Sequence, residues 1–121
     1  MKLLNDLFEI IDSSGNGSGL SVTIRIKSDH IVYKGHFPGY PVTPGVVFLQ
    51  IVHELLEHHL KKEIRLVEIS STKFLKIVNP EKENTATISV EVASKDSLLH
   101  VKALGKNSLG IFFKFDAIYT L

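Results

Sequence analysis

The longest apolar stretch of the chain, residues 46–60, contains neither proline nor glycine. Its apolar side chains occupy nearly all sides of a helical wheel: Val46, Val47, Phe48, Leu49, Ile51, Val52, Leu55, Leu56 and Leu60. Only a narrow polar stripe, Gln50, Glu54 and Glu57, interrupts them at helical spacing. Pro44 is well placed to open a helix, since proline is favoured in a first turn. The pattern predicts a helix that is buried on most sides and needs other elements packed around it.

The C-terminal half alternates apolar and polar residues with the period of two that is typical of half-buried strands. Residues 64–78 are predicted to form a long, bent strand, followed by a turn at residues 79–84. Three more strands are predicted, joined by short turns, around residues 86–92, 99–103 and 111–119. Such an antiparallel meander, curled around a buried helix, predicts an α+β fold that forms one domain over residues 1–121.

The N-terminal third carries weaker patterns. Apolar residues at roughly helical spacing predict a short amphipathic helix over residues 2–11. The segment Ser13–Gly19 is rich in serine and glycine and is predicted to be a flexible turn, after which residues 20–27 alternate as a strand does. A second short strand is predicted at Ile31–Lys34, and residues 37–45, rich in proline and glycine, are predicted to be an ordered, irregular loop.

Composition narrows the class of protein. The formal net charge of +1 provides no broad field that would attract nucleic acid or an anionic membrane, and neither is expected as a partner. The chain has no cysteine, which excludes disulfide bonds and thiolate chemistry. No apolar run is long enough to span a bilayer, and Asp6 and Glu9 interrupt any secretory signal, so a cytoplasmic protein is expected.

One segment carries a specific resemblance. His36-Phe-Pro-Gly-Tyr-Pro-Val-Thr-Pro-Gly-Val-Val47 resembles the signature His-Phe-Pro-x-x-Pro-Val-x-Pro-Gly-Val of the β-hydroxyacyl-acyl-carrier-protein dehydratases of the FabZ/FabA type. Further on, Lys73-Phe-Leu-Lys-Ile-Val-Asn-Pro80 resembles the family's Lys-Phe-x-x-x-Val-x-Pro strand. The resemblance implies a hotdog fold, in which a curved antiparallel sheet wraps a long central helix. It also implies a homodimer with acyl-binding tunnels at the subunit interface.

The same resemblance assigns roles to residues. Dehydration of a 3-hydroxyacyl thioester needs a base for the α-proton, an acid for the departing hydroxyl and a group that stabilises charge on the thioester oxygen. His36 matches the family's base, and Gly45 matches the glycine whose backbone N–H binds the thioester oxygen. Phe37, Pro38 and Val46 are expected to contact the substrate. The family implies neither a cofactor nor a metal.

The chain departs from the family at the acid. The family's Glu-x-x-x-Gln on the central helix becomes Gln50-Ile-Val-His-Glu54. Glutamine cannot deliver a proton at neutral pH, whereas Glu54 lies on the same helix face about 6 Å further along. Two interpretations stay open. Either Glu54 is the acid and Gln50 positions the hydroxyl, or Glu54 belongs to a partly solvated polar stripe.

Other charged residues suggest further hypotheses. Lys73 and Lys76 match positions near the tunnel mouth and are expected to contact an acidic acyl carrier protein, although ordinary surface lysines would look the same. A zinc site on the helix is not expected, because Glu57 stands where the His-Glu-x-x-His pattern that starts at His53 requires a second histidine.

The sequence therefore favours a dehydratase that acts on 3-hydroxyacyl-carrier-protein thioesters in fatty-acid or polyketide-type biosynthesis. One alternative is a hotdog thioesterase in which a helix carboxylate such as Glu54 activates water. A third possibility is a catalytically impaired subunit that holds acyl chains or forms a heterodimer with an active paralogue. Gln50 is the reason for keeping all three.

Overall fold

The computed structural model describes residues 2–34 and 41–121. Its elements, in chain order, are β1 (Phe8–Asn16), β2 (Gly19–Ile26), a 3-10 helix (Ile31–Tyr33), α1 (Gly45–Leu60), β3 (Arg65–Phe74), β4 (Thr85–Lys95), β5 (Leu98–Asn107) and β6 (Gly110–Thr120). The six strands form one antiparallel sheet in the order β1-β2-β4-β5-β6-β3. One long helix packed on this sheet is the α+β hotdog architecture that the resemblance implies, and the fold prediction is confirmed.

The predicted central helix is confirmed as α1. It begins directly after Pro44 and ends at Lys61, whose φ of 55° is left-handed and whose N–H donates to the carbonyl of Glu57. The buried positions are those of its apolar face together with one carboxylate: Val47, Phe48, Ile51, Val52, Glu54, Leu55 and Leu56. Neither α1 nor any other helix in the described ranges is both long and apolar enough to cross a membrane.

The predicted meander is confirmed as β4, β5 and β6. Ten of the twelve residues predicted to face inward are buried and form the sheet side of the core: Ala86, Ile88, Val90, Leu99, Val101, Ala103, Phe113, Phe115, Ala117 and Tyr119. The other two are not buried, since Val92 is half-buried and Ile111 is 37% exposed. The alternation breaks at one point, where a register shift between Gly105 and Lys106 turns Phe112 inward beside Phe113. Their rings lie 4.9 Å and 5.2 Å from the ring of Phe48, so an aromatic cluster fixes the first turns of α1 to the sheet.

The strand predicted over residues 64–78 is shorter than expected. As β3 it ends at Phe74 and contains register shifts between Leu66 and Glu68 and between Ile69 and Ser71. The chain then leaves the sheet, and the N–H of Leu75 donates to the carbonyl of Phe112. Because β3 pairs with β6 alone among the described strands, it forms one edge of the sheet.

The helix predicted over residues 2–11 is wrong. The N–H of Leu7 does donate to the carbonyl of Leu3, but Asn5 adopts a φ of 68° and ends the helical path. From Phe8 onward the chain pairs with β2. Pairing with β2, together with burial of Leu3, Leu7 and Phe8, outweighs the local helical spacing.

Two more N-terminal predictions are wrong. The Ser13–Gly19 turn is instead mostly strand, because β1 runs to Asn16, whose side chain accepts the N–H of Ser18 and tightens the turn. The strand predicted at Ile31–Lys34 is a 3-10 helix, because Nδ1 of His30 accepts the N–H of Val32 and so caps its first turn. Of the loop predicted at 37–45, residues 41–44 have no regular structure, and residues 37–40 lie outside the described residues.

Tyr119, on the inner face of β6, makes the stability of the protein depend on pH in alkaline solution. Burial raises the pKa of Tyr119 from 10.0 to about 12, so the folded protein keeps a proton that the unfolded chain releases. Stability should therefore be lost as the pH rises from 10 to about 12. Between neutral pH and about pH 12, the unfolding free energy measured by urea titration should decrease in the native protein by about 2 kcal/mol more than in Tyr119→Phe. Equal losses in both proteins would contradict this assignment.

Candidate functional site

A buried hydrogen bond joins Tyr33, ahead of the signature, to Thr43 within it. His36, Phe37 and Pro38, which lie between these two residues in sequence, are outside the described residues. The hydroxyl oxygens of Tyr33 and Thr43 lie 2.9 Å apart.

Both partners of this bond are fixed further. Thr43 is 5% exposed, and its N–H donates to the carbonyl of Val78 at 2.9 Å. Burial raises the pKa of Tyr33, while the hydrogen bond to Thr43 opposes that shift, so the phenol stays protonated at neutral pH. Neither residue belongs to a sequence pattern that indicates this contact.

The start of α1 carries the predicted oxyanion donor. Gly45 is the first residue of the helix, and Pro44 supplies no side-chain cap. N–H groups of a first turn have no acceptor within the helix and lie at the positive end of its dipole. The backbone at Gly45 is therefore suited to bind a negatively charged oxygen.

An aromatic ring covers this helix end. A Cβ atom on Gly45 would lie 2.7 Å from Cζ of Phe74, so only glycine allows the ring and the backbone to approach as closely as they do. Phe74 is itself 51% exposed, and the predicted substrate contact Val46 is 68% exposed. An apolar surface thus adjoins the start of the helix. No sequence pattern indicates the contact of Phe74 with Gly45.

Gln50 and Glu54 are brought together by the helix. Nε2 of Gln50 donates to Oε2 of Glu54 at 2.7 Å. Glu54 is 5% exposed, and its oxygens also accept the N–H of Leu3 at 2.8 Å and that of Leu4 at 2.7 Å. Glu54 itself is therefore buried, whereas Gln50 and Glu57, the other residues of the predicted polar stripe, are half-buried. The role of Glu54 as a proton donor stays a prediction.

A polar pocket opens beside this pair. It has a volume of about 540 Å³ and is lined by Lys2, Leu4, Gln50, Glu54, Glu57, His58, Lys61, Lys62 and Glu63. The pocket shows that a small polar group can approach Gln50 from solvent.

The remaining helix carboxylate has a structural partner. Glu57 accepts the N–H of Ile64 at 3.0 Å, and its carboxylate lies 3.4 Å from Nε2 of His53. Within residues 2–34 and 41–121, no three histidines or carboxylates are grouped as metal ligands would be.

The two predicted carrier-protein contacts differ in their surroundings. Lys73 and Lys76 are both exposed. The ammonium of Lys76 donates to the carbonyl of Leu109, which ties it to the turn between β5 and β6. Lys73 instead lies directly opposite Lys114 in the register of β3 and β6, so two cations stand side by side at the edge of the sheet.

The bond between Tyr33 and Thr43 is testable by stability. Thr43→Val removes the hydroxyl partner and leaves the buried phenol of Tyr33 without it, which we expect to lower the unfolding free energy by about 1–3 kcal/mol. Adding Tyr33→Phe should restore part of this loss, because removing both polar partners of a buried bond costs less than removing one. A double variant as unstable as the sum of its singles in denaturant titrations would argue against the bond.

Comparison with known proteins assigns the chain to a family. The family model ApeI-like, described as ApeI dehydratase, matches residues 12–108. A 3-hydroxyacyl-[acyl-carrier-protein] dehydratase FabZ from Lactiplantibacillus plantarum is 31% identical over 77 residues, which cover 58% of this chain and 52% of that protein. FabZ from Lactobacillus helveticus is 27% identical over 103 residues, or 79% of this chain and 69% of its own. The chain thus spans about half the length of the first of these relatives.

Among solved structures, the dehydratase heterocomplex ApeI:P from Xenorhabdus doucetiae contains a similar chain. It superimposes with a TM-score of 0.77 at 17% identity and covers 93% of this chain and 96% of its own. At this identity the likeness supports the fold alone. The family model, in contrast, matches well over half of the 121 residues, and the chain therefore belongs to the ApeI-like dehydratase family.

Proposed function

We propose that the protein dehydrates 3-hydroxyacyl-carrier-protein thioesters to trans-2-enoyl thioesters, in fatty-acid or polyketide-type biosynthesis. The observation that carries the proposal is the start of α1. There the backbone of Gly45, within the dehydratase signature, meets the exposed ring of Phe74. An anion-binding helix end beside an apolar surface suits the oxygen and the acyl chain of one thioester.

The roles follow from the chemistry. His36 removes the proton from C2, and the Gly45 N–H stabilises the charge that develops on the thioester oxygen. The bond between C3 and the hydroxyl oxygen then breaks, the double bond forms between C2 and C3, and the hydroxyl leaves with a proton as water. Gln50 binds that hydroxyl, and Phe37, Pro38 and Val46 contact the acyl chain.

The proton that leaves with the hydroxyl has two candidate sources. Glu54 is the one that the helix spacing suggests, but N–H donors already reach both of its oxygens. The other is His36, which carries the C2 proton after the first step. The donors around Glu54 favour His36 as the source, and the same donors argue against Glu54 as the base of a thioesterase.

A second copy of the chain is the proposed partner at the β3 edge. The inner-face residues Leu66, Ile69 and Phe74 are between 40% and 51% exposed, although the residues they pair with on β6 are buried. An edge strand also presents backbone N–H and C=O groups that a further strand can bind. An apolar inner face next to an open edge supports a homodimer that extends the sheet. The ApeI:P heterocomplex suggests a paralogue as the alternative partner at the β3 edge.

The test is the absorbance change of the enoyl thioester when the protein is mixed with a 3-hydroxyacyl-carrier-protein substrate. We expect turnover by the native protein and a loss of about 10²-fold or more in His36→Ala, because that variant lacks the base. Release of free thiol would instead indicate a thioesterase. No turnover by the native protein, with activity appearing in Gln50→Glu or after addition of a paralogue, would indicate an impaired subunit.

Carrier-protein docking is tested at the cationic pair. Replacing Lys73 and Lys114 by glutamate should raise KM for carrier-protein substrates by roughly tenfold, because a carrier protein is acidic and the surface becomes so too. The same variant should keep its KM for a short pantetheine thioester. The control with the same change in charge is the double variant Lys95→Glu and Lys106→Glu, at exposed positions of β4 and β5. An equal rise in KM for both substrates would refute docking at this pair.

A further inference from the structure

The turn between β1 and β2 contains an asparagine followed by a glycine, Asn16-Gly17. Oδ1 of Asn16 accepts the backbone N–H of Ser18 at 2.8 Å and the hydroxyl of Ser18 at 2.7 Å. The bond from the N–H closes a ring of atoms that includes both Cγ of Asn16 and the nitrogen of Gly17. The turn therefore keeps the side-chain carbonyl close to the next peptide nitrogen.

The reacting groups of this turn are accessible. Asn16, Gly17 and Ser18 are all exposed. Within residues 2–34 and 41–121, neither the N–H of Gly17 nor the side-chain nitrogen of Asn16 donates a hydrogen bond to the protein. Oδ1, in contrast, receives two donors. These donors polarise the carbonyl and stabilise the negative charge that an attacking nucleophile would place on its oxygen.

Gly17 is not required by the packing of the fold. A Cβ atom built on Gly17 would meet no atom within 4 Å, and its φ lies outside the left-handed range that favours glycine. An alanine would therefore fit at this position. What glycine provides is the absence of a side chain beside its nitrogen, which leaves the approach of that nitrogen to Cγ of Asn16 unobstructed.

We propose that Asn16 is a site of spontaneous deamidation through a cyclic imide. The nitrogen of Gly17 loses its proton to hydroxide and bonds to Cγ of Asn16, and the bond from Cγ to the side-chain nitrogen breaks, so that ammonia leaves with a proton taken from water. Water then opens the imide at either carbonyl and gives aspartate or isoaspartate. The net reaction consumes one water and releases one ammonia. The proposal does not depend on the dehydratase function.

Two other asparagines of the chain provide internal comparisons. Oδ1 of Asn79 and Oδ1 of Asn107 each accept the N–H two residues further on, at 2.9 Å, so both form the same ring as Asn16. Asn79 is followed by Pro80, which has no N–H to lose. Asn107 is half-buried and is followed by Ser108, whose side chain stands beside the attacking nitrogen. The expected order of rates is therefore Asn16, then Asn107, with no imide at Asn79.

The turn is too tightly packed to accept a longer main chain. A Cβ atom on Gly15 would lie 2.6 Å from the carbonyl oxygen of Gly19, and one on Gly19 would lie 2.7 Å from that of Val90. Nε2 of His59 lies 3.1 Å from the carbonyl oxygen of Asn16, which joins the turn to the end of α1. Isoaspartate adds one carbon to the main chain at Asn16. Its formation should therefore open the turn and separate it from α1.

The first test follows the native full-length chain during incubation in mildly alkaline buffer, with peptide mapping by mass spectrometry. We expect the mass change of NH₂ to OH at Asn16, as a mixture of aspartate and isoaspartate, at a rate that rises with pH because hydroxide removes the proton. Unmodified Asn16 would overturn the proposal. Aspartate alone would also overturn it, because direct hydrolysis forms no isoaspartate, as would a rate at Asn107 equal to that at Asn16.

The second test uses Gly17→Ala, for which the structure has room. Deamidation of Asn16 should be slower by about tenfold or more, because the added methyl group hinders the attacking nitrogen. Ser18→Ala removes the hydroxyl donor, keeps the ring and should slow the reaction by a smaller factor. An unchanged rate in Gly17→Ala would overturn attack by this nitrogen.

The opening of the turn is tested at His59. The isoaspartate form is separated by chromatography and compared with Asn16→Asp, which carries the same added charge on a main chain of normal length. The ring resonances of His59 should shift further from those of the native protein in the isoaspartate form than in Asn16→Asp, because only isoaspartate displaces the carbonyl that His59 contacts. Equal shifts in the two forms would refute the opening of the turn.

Discussion

The structure depends on covering a helix that is apolar on nearly every side. The sheet buries one side of α1, and the N-terminal turn covers Glu54, with Leu3 and Leu7 in the core and backbone N–H groups on the carboxylate. Within the described part of the chain, the same few residues thus provide apolar burial and hydrogen bonds to a buried charge.

Much of this fold could be predicted because its signals are local. The alternation in β4, β5 and β6 and the proline-initiated apolar helix each lie within one continuous segment. The N-terminal errors have a common cause. A short apolar run such as residues 2–11 fits a helix and a strand equally well, and pairing with β2, which lies further along the chain, decides between them. At Ile31–Tyr33 the deciding group is a single side chain, that of His30.

The candidate site could likewise be predicted only in part. The positions of Gly45, Gln50 and Val46 follow from the signature and the helix that it opens. The contacts that give these residues their properties join parts of the chain that are distant in sequence. Glu54 and Leu3 are 51 residues apart, and the ring over Gly45 comes from the end of β3. Neither contact leaves a periodic or compositional trace, so only the folded chain reveals it.

The inward turn of both Phe112 and Phe113 has a mechanical consequence. Because Phe48 packs against both rings, α1 cannot slide along its own axis without breaking that packing. An axial movement by the rise of a single residue, about 1.5 Å, would carry the N–H of Gly45 out of hydrogen-bonding range of a bound oxygen. One irregular step in the pairing of β5 and β6 therefore sets the depth at which the end of the helix would meet the thioester oxygen proposed to bind there.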